Sequence, residues 1–513
     1  MEEKVLNKKL KKNKQYSQTL KQVGDFSSEK KSQKLMQNSQ KFEKKSKKQE
    51  LNRVLAGDKL SKNVISVRKQ ILKTASTKSK NNEKRLKKCN KKLLNKYDDV
   101  REIYLTIDKF NNNGKKTIVY FIDSFFPVID GVVSVLDNYA KIMSKYYNVV
   151  VCAPKHKSKV YNGCNYFVLQ SDSIFLKNQG YDLGFPQLDA EFQKYISLLK
   201  IDLVHIHAPF NMGSFGLNLA KKRKVPSLIT FHSQFKQNFY NAVKSDTIAN
   251  WLTKFIMTTF NKTTQVVTMN DFAKGVLKEY GLKKPVEIIP NATNLKEKEF
   301  SKEFETEIVS KHKIDKNKFN ILFIGRFVEV KNVYFILSVI SELYKKNKDF
   351  NFIFLGYGPE QSKMQKICKQ NGIENIVKFT GKIDSVDEKS VIIKNSDLLF
   401  FPSVYDTDGI VKIEAACYGV PTLCIENTGV SANMINDRNG FIEKYDEQAF
   451  VDRLDFLIKN VDFVKKVGET AKIEIYITWE EVGERLKNLY EKFLKTHNFK
   501  NGKKNKNKST KKW

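Results

Sequence analysis

The sequence predicts an α/β protein with two doubly wound domains, each built on a parallel sheet. From residue 116 onward, short apolar runs typical of buried strands alternate with helical patterns. Polar and glycine-containing loops follow several of these runs, at the carboxyl ends where open parallel sheets bind ligands. One stretch, residues 396–442, places a strand, a polar loop and a helix start in succession. This stretch anchors the interpretation of the second domain.

The positive charge of the chain is concentrated at its two ends. The net charge is +36 over 513 residues, yet residues 1–115 hold 33 Lys and Arg against 12 Asp and Glu, and residues 491–513 hold nine Lys against one Glu. Such segments attract anionic lipid or nucleic acid, although a solvated, disordered extension is their commoner fate. We expect a Lys-rich extension over 1–115, disordered or loosely helical, and a basic tail over 498–513.

Cysteine usage and hydropathy indicate a reducing compartment. The six cysteines form no C-x-x-C pair and have no histidine at ligand spacing, which is typical of reduced thiols in the cytoplasm. The first residues contain no apolar signal region, and the chain has no apolar run of 18 residues. We therefore expect a cytoplasmic protein without a transmembrane helix.

The first domain is predicted over residues 116–300. Strands are expected at Thr117–Ile122, Asn148–Cys152, Leu203–His207, Ser227–Phe231, Gln265–Met269 and Glu287–Ile289. The first strand leads into SFFPVIDGVVSVL, in which Asp130 and Gly131 precede a helical pattern. This loop lacks the G-x-G-x-x-G pattern, so a dehydrogenase is not indicated.

Two histidine-containing motifs follow later strands of this domain. HIHAPFNMGSFG contains His205 and His207, and FHSQF contains His232. His205 and His207 alternate along one strand end, so both could face one metal ion, but no third ligand supports that. A hydrogen-bonded histidine at the rim of the sheet is the simpler interpretation of His232 when it is taken alone.

The second domain is predicted over residues 301–478. Its first strand, Phe319–Ile324, ends in GRFVEVKN, which places Gly325, Arg326 and Lys331 directly behind the strand. Arginine offers a planar fork and lysine a point charge, so this pair suits the two phosphates of a diphosphate. Further strands are expected within 354–359 and 377–383.

The anchoring stretch completes the predicted ligand edge. A strand over Asp397–Phe401 is followed by a loop and by a helix beginning at Gly409, whose first free N–H groups, with those of Ile410 and Val411, favour an anion. Asp406 lies in the loop and Glu414 about two turns into the helix. Because carboxylates accept hydrogen bonds from hydroxyl groups, this pair suits a sugar and a ribose beside a diphosphate. An ordinary strand–helix crossover with surface acids is the alternative.

Together these motifs resemble those of retaining glycosyltransferases of the GT-B fold, family four (group 1). In motif they are most similar to diacylglycerol glucosyltransferases and phosphatidylinositol mannosyltransferases. The resemblance covers residues 116 to about 495 and implies two Rossmann-like domains that face a cleft, with a helix over 479–497 returning to the first domain. It also implies that the second domain binds a nucleoside-diphosphate sugar, expected to be UDP-glucose, and that the first binds the acceptor.

The resemblance implies a role for each motif residue. The catalytic set is His232, Arg326, Lys331 and Asp406. The donor-binding set is Gly131, Gly325, Gly409, Ile410, Val411 and Glu414, and the acceptor-binding set is Asp130 and His207. Asp406 departs from the family pattern, which has glutamate there, one methylene longer. Asp406-Thr407-Asp408 looks like the metal-binding D-x-D of the other glycosyltransferase fold, but the cations of GRFVEVKN already neutralise a diphosphate, so neither a metal nor a cofactor is expected.

The expected activity is transfer of a hexose, expected to be glucose, to 1,2-diacylglycerol on the inner face of the cell membrane, where basic segments hold the enzyme peripherally. Alternatives are phosphatidylinositol, a polyol or a cell-surface polymer as acceptor, and a basic-tail binding protein that has lost activity. Nucleic acid is not the expected partner, and the sequence does not set the oligomeric state. Residues 212–262 mix basic and aromatic side chains, which suits either a helix at a membrane interface or ordinary core packing.

Overall fold

A computed structural model of the protein describes residues 99–128, 130–156, 165–176 and 181–509. The predicted extension up to residue 98 and the end of the basic tail lie outside the described residues. Within them, the architecture is that of two parallel sheets covered by helices, as the sequence predicts.

The first domain contains a seven-stranded parallel sheet in the order β3-β2-β1-β6-β7-β8-β9. Its elements are α1 over residues 99–112, β1 (Thr117–Phe121), α2 (Gly131–Met143), β2 (Asn148–Pro154), β3 (Phe167–Ser171), β4 (Ser173–Leu176), β5 (Tyr181–Gly184), α3 (Ala190–Leu198), β6 (Leu203–Ile206), α4 (Asn211–Arg223), β7 (Ser227–Thr230), α5 (Phe235–Val243), α6 (Asp246–Lys262), β8 (Gln265–Thr268), α7 (Asp271–Glu279) and β9 (Val286–Ile288). Strands β4 and β5 form a separate antiparallel pair. The predicted strands of this domain are all present; β3 to β5 were not predicted.

The second domain contains a six-stranded parallel sheet in the order β12-β11-β10-β13-β14-β15. Its elements are α8 (Lys302–Lys311), β10 (Phe319–Ile324), a single 3₁₀ turn (Glu329–Lys331), α9 (Val333–Lys346), β11 (Phe350–Leu355), α10 (Gln361–Gln370), β12 (Val377–Gly381), α11 (Val386–Lys394), β13 (Leu398–Phe400), α12 (Ile410–Ala416), β14 (Thr422–Ile425), β15 (Phe441–Glu443), α13 (Glu447–Lys459), α14 (Val461–Glu474) and α15 (Trp479–Ser509). In each sheet the first strand of the domain, β1 or β10, lies inside the sheet and is fully buried. Their continuous apolar sequences follow from burial on both faces.

Two glycines bring α4 into close contact with β1. A Cβ atom on Gly216 would lie 2.5 Å from the ring of Phe121, and one on Gly213 would lie 1.9 Å from the carbonyl oxygen of Ala208. Only glycine therefore permits this approach. The glycines of HAPFNMGSFG serve helix packing, and they bring the first turn of α4 next to the carboxyl end of β1.

Helix α1 lies in the segment that composition assigned to the extension, but it packs on the first domain. Ile107 is buried in the apolar core beneath this sheet, and Tyr104 stacks edge-on against Tyr195 of α3. The apolar side chains of α1 at Tyr104 and Ile107 therefore belong to the core of the first domain. The high charge of the segment hides this short apolar face.

The final helix, α15, packs against the first domain. Trp479 and Tyr490 are buried with Tyr139 of α2, and the Tyr490 hydroxyl lies 2.6 Å from Nδ1 of His205 and 3.0 Å from the Tyr120 hydroxyl. The other ring nitrogen of His205 lies 2.7 Å from the Thr230 hydroxyl. This network fastens the end of the chain to the sheet. No helix in the described part of the chain is both long and apolar enough to cross a bilayer.

We expect Tyr490→Phe to lower the free energy of unfolding by about 1–3 kcal/mol, because it leaves buried polar groups on His205 and Tyr120 without their partner. Denaturant unfolding measures the change. The matched control is Tyr146→Phe, which removes an exposed hydroxyl bonded to Glu484. Equal, small effects of both substitutions would contradict a structural role for the buried network.

Candidate functional site

The carboxyl ends of β1, β6 and β7 form one side of the candidate site. Asp130 caps α2 by accepting a hydrogen bond from the Val133 N–H at 2.8 Å, and its pKa is raised by burial. A Cβ atom on the neighbouring Gly131 would meet nothing within 4 Å, so space lies above this turn. The structure thus places the predicted Asp130 and Gly131 at an open helix start.

His207 and His232 are brought together at the ends of β6 and β7. Nδ1 of His207 lies 3.0 Å from Nε2 of His232, and the two rings stack with centroids 5.2 Å apart. Burial lowers the pKa of His232 to about 3 and that of His207 well below its ordinary value. Both imidazoles are therefore neutral near pH 7, and the N–H group of one ring donates a hydrogen bond to the unprotonated nitrogen of the other.

His205 has its own hydrogen-bond partners and is not part of the hydrogen bond between His207 and His232. Both ring nitrogens of His205 are engaged, by Tyr490 and Thr230, and burial lowers its pKa to about 3. Since both nitrogens of His205 have these partners, the structure does not support a metal ion shared by His205 and His207. Among the described residues, no three His, Cys, Asp or Glu side chains lie close enough together to hold a metal ion.

Asp123 is a half-buried acid that follows β1 and to which the sequence interpretation gave no role. One carboxylate oxygen accepts a hydrogen bond from the Met212 N–H at the start of α4, at 2.7 Å. Burial raises the pKa of Asp123 to about 7, and its second oxygen has no partner among the described residues. Its position directly after a buried strand was the sequence signal for a site residue.

The second domain supplies the cations predicted from GRFVEVKN. Gly325 follows β10, Arg326 is exposed, and Lys331 ends the 3₁₀ turn before α9. The Lys331 ammonium lies 2.6 Å from both carboxylate oxygens of Asp406 and 5.5 Å from the centre of the Phe401 ring. The predicted clamp lysine and the predicted sugar-binding acid are therefore ion-paired with each other.

Glu414 is likewise paired with a lysine, one that the sequence interpretation missed. Its carboxylate accepts a hydrogen bond from the Lys389 ammonium at 2.6 Å, and both side chains are largely buried. Glu414 lies in the second turn of α12, as its spacing predicted. Gly409 precedes α12 with φ of 84°, and a Cβ atom there would press on Phe401 at 3.3 Å. The N–H groups of Ile410 and Val411 open this helix.

A second buried ion pair supports the loop from inside. The Lys412 ammonium lies 3.2 Å from Asp408 and donates to the carbonyl oxygens of Val430 and Ala432 at 2.8 and 2.9 Å, while Asp408 also accepts a hydrogen bond from the Asn291 amide at 2.9 Å. Because both oxygens of Asp408 are engaged by these partners, its carboxylate has a structural role in holding the loop.

The same loop bridges the two domains. The Thr407 hydroxyl donates to the carbonyl oxygen of His232 at 2.7 Å, and the Asn270 amide donates to the carbonyl oxygen of Thr407 at 2.8 Å. The Gln234 amide donates to the carbonyl oxygen of Tyr405 at 3.2 Å. The loop that carries Asp406, and with it the Lys331 ammonium, is thereby held near the backbone of His232.

Two family profiles match this chain in succession. Residues 129–297 match the family described as Glycosyltransferase Family 4, and residues 304–474 match Glycosyl transferases group 1. Together they cover both domains.

Similar curated proteins include two named alpha-monoglucosyldiacylglycerol synthase. The one from Streptococcus pneumoniae is 22% identical over 74% of this chain and 86% of its own length. The one from Acholeplasma laidlawii is 24% identical over 69% of this chain and 91% of its own length.

Similar solved structures share the fold. HepE of Anabaena, solved in complex with UDP-glucose, superposes with a TM-score of 0.60 at 14% identity, over 73% of this chain and 99% of that one. Sucrose-phosphate synthase from Thermosynechococcus elongatus gives a TM-score of 0.60 at 15% identity, over 74% of this chain and 100% of its own. The described architecture is the GT-B fold.

We expect Asp408→Asn to lower the free energy of unfolding by on the order of 3 kcal/mol, because it leaves the buried Lys412 ammonium without its counter-ion. Lys412→Met is also expected to destabilise, and the double variant should lose less than the sum of the two. Denaturant unfolding of all four proteins measures this coupling. The control Asp387→Asn, from an exposed pair with Lys298, should change little. Additive losses would contradict the pair.

Proposed function

The chain belongs to the family 4, group 1 glycosyltransferases, and we propose that it moves a hexose, most simply glucose, from a nucleoside-diphosphate sugar to 1,2-diacylglycerol with retention of configuration. The observation that carries this proposal is that the loop of Asp406, which is ion-paired with Lys331, is hydrogen-bonded through Thr407 to the backbone of His232. The two similar synthases named for glucosylated diacylglycerol support the choice of acceptor and sugar. The similar fold solved with UDP-glucose supports a uridine donor.

The cations explain how the leaving group departs. The bond from the anomeric carbon to the diphosphate breaks with its electron pair on the phosphate oxygen, and charge grows there. Arg326 and Lys331 stabilise this charge in a partly dry cleft, where such stabilisation is strong. The new bond forms from the acceptor oxygen on the same face of the sugar, and the acceptor proton passes to the departing phosphate.

The carboxylates and the histidine position the sugar. Asp406 accepts hydrogen bonds from sugar hydroxyls, and Glu414 from the ribose. Since the imidazole of His232 is neutral and its Nε2 lies against His207, its remaining ring nitrogen is the one left for the transferred sugar. Gly131 and Asp130 leave room for the acceptor hydroxyl.

For the surroundings of the enzyme, we propose peripheral attachment to an anionic membrane surface through basic segments. A lipid acceptor resides in a bilayer, and Lys-rich segments contribute about 1 kcal/mol per lysine near an anionic leaflet. The charge excess of residues 1–115 is a property of the sequence. Most of these residues lie outside the described ones, so their part in this proposal rests on the sequence.

The experiment that tests the proposal supplies labelled UDP-glucose and diacylglycerol dispersed in neutral detergent to the full-length protein, and identifies the product by chromatography and mass spectrometry. We expect a monoglucosyl lipid with the α configuration. A product formed only with a water-soluble polyol would overturn the lipid acceptor. A β-configured product would overturn retention.

We expect Arg326→Ala and Lys331→Ala each to reduce turnover by about 10²-fold or more, because each removes one stabilising charge from the leaving diphosphate. Initial rates with saturating acceptor measure the loss. The matched control is Lys345→Ala, an exposed lysine of α9 paired with Glu342, which should retain full rates. Wild-type rates in correctly folded Arg326→Ala and Lys331→Ala would contradict the role of these two cations in stabilising the diphosphate.

We expect Asp406→Asn to impair transfer and Asp406→Glu to be tolerated, because the amide loses the negative charge and one of the two acceptor oxygens, whereas the longer acid keeps both. Turnover with UDP-glucose measures both. Full activity of Asp406→Asn together with loss of activity in correctly folded Asp408→Asn would show that the neighbouring acid is the functional one.

A further inference from the structure

Helix α6 is apolar on two faces. One face packs into the first domain through Ala249, Thr253, Ile256, Met257 and Phe260. The other face carries Ile248, Trp251 and Phe255, spaced by three and four residues and therefore on one side of a helix. We refer to these three residues as the α6 stripe.

The α6 stripe is exposed to an unusual degree for side chains of this size. Trp251 is 64% and Phe255 63% accessible, and Ile248 is 47% accessible. The two rings stack on each other with centroids 6.0 Å apart and planes 17° apart, so they form one continuous apolar surface. An exposed apolar patch of this kind marks an interaction site, and tryptophan suits a boundary that is apolar on one side and wet on the other.

Cations flank the stripe at both ends of the helix. Lys244 precedes α6, and Lys262 is its last residue; both are exposed. Beyond Lys262, the Lys284 ammonium donates to the carbonyl oxygen of Thr263, and the pKa of Lys284 is lowered by partial burial and by the charge of Lys221. The end of α6 therefore adjoins the basic last turn of α4.

Helix α5 connects the candidate site to α6 along the chain. Helix α5 begins three residues after His232 and is followed at once by α6, against which it packs. Gln234, between His232 and α5, is hydrogen-bonded to Tyr405 of the second domain. The chain therefore runs from the first-domain side of the site through α5 directly into the helix that carries the stripe.

We propose that the α6 stripe docks into the headgroup region of an anionic bilayer, with Trp251 and Phe255 entering the acyl boundary and Lys244 and Lys262 contacting lipid phosphates. Apolar side chains between cations match a surface that is apolar inside and negative outside. The inference rests on the proposed lipid acceptor for its purpose, since it brings the cleft to the bilayer.

The first test locates the tryptophan. The chain has three tryptophans; Trp479 is 3% accessible, and Trp513 is replaced by Phe in the full-length protein. Vesicles of equal parts phosphatidylglycerol and brominated phosphatidylcholine, without donor or acceptor, should quench the emission of Trp251. Protein that sediments with these vesicles but shows no quenching would overturn the proposal, because another segment would then hold the membrane.

The second test measures the contribution of the stripe to affinity. Partitioning onto the same lipid mixture, without bromine, should fall about tenfold or more in Trp251→Ser/Phe255→Ser, measured in high salt where attraction of the basic segments is screened. The matched control, Leu105→Ser/Ile473→Ser, removes two equally exposed apolar side chains elsewhere and should bind as the parent does. Unchanged partitioning of the stripe variant, or a dimer in solution that this variant dissociates, would overturn bilayer docking.

Turnover on detergent-dispersed diacylglycerol separates this inference from the proposed function. We expect the stripe variant to retain the rate of the parent in detergent and to lose it on vesicles. Quenching without any glucosylated lipid would refute the acceptor while supporting the docking surface. Lipid product in detergent without quenching would refute the docking surface alone.

Discussion

The loop of residues 403–409 is hydrogen-bonded to both domains, and the geometry of the cleft depends on this contact. Thr407 holds the backbone of His232, and Asp408 holds Asn291 while its other oxygen faces the buried Lys412. Asp406 lies between Tyr405 and Thr407, which are both hydrogen-bonded to the first domain, and it is thereby fixed near that domain. One short segment thus joins the sheet end that carries the histidines to the sheet end that carries the cations.

Both acids of the candidate site are paired with lysines. Asp406 neutralises Lys331, and Glu414 neutralises Lys389, so neither acid is left with an unpaired charge in a partly buried place. A diphosphate that binds Lys331 would replace Asp406 as its counter-ion. The freed carboxylate would then accept hydrogen bonds from the sugar attached to that diphosphate. Under the proposed function, the donor would exchange this ion pair for its own contacts.

The sequence predicts the two sheets, and the positions of the motif residues behind their strands, because both are encoded locally. Apolar runs such as Phe319–Ile324 mark buried strands, and the residues behind them reach the carboxyl edge of the sheet by topology alone. Pairings between residues that are distant in the sequence are not encoded this way. Asn291 and Asp408 are hydrogen-bonded although 117 positions separate them in the chain, and Lys389 contacts Glu414 only once α11 and α12 have packed. The packing of helix α1 on the first domain was not predicted, because the charge of the segment outweighs a face of a few apolar residues. Asp123 was given no role, because its one sequence signal, a single acid after a strand, is not distinctive.

The most direct test of the central claim is a crystal structure of the protein with UDP bound. The account predicts that the Lys331 ammonium and the Arg326 guanidinium contact the diphosphate, that Glu414 accepts from the ribose, and that the contact between Lys331 and Asp406 is broken. A diphosphate bound elsewhere, with the Lys331–Asp406 ion pair intact, would contradict it.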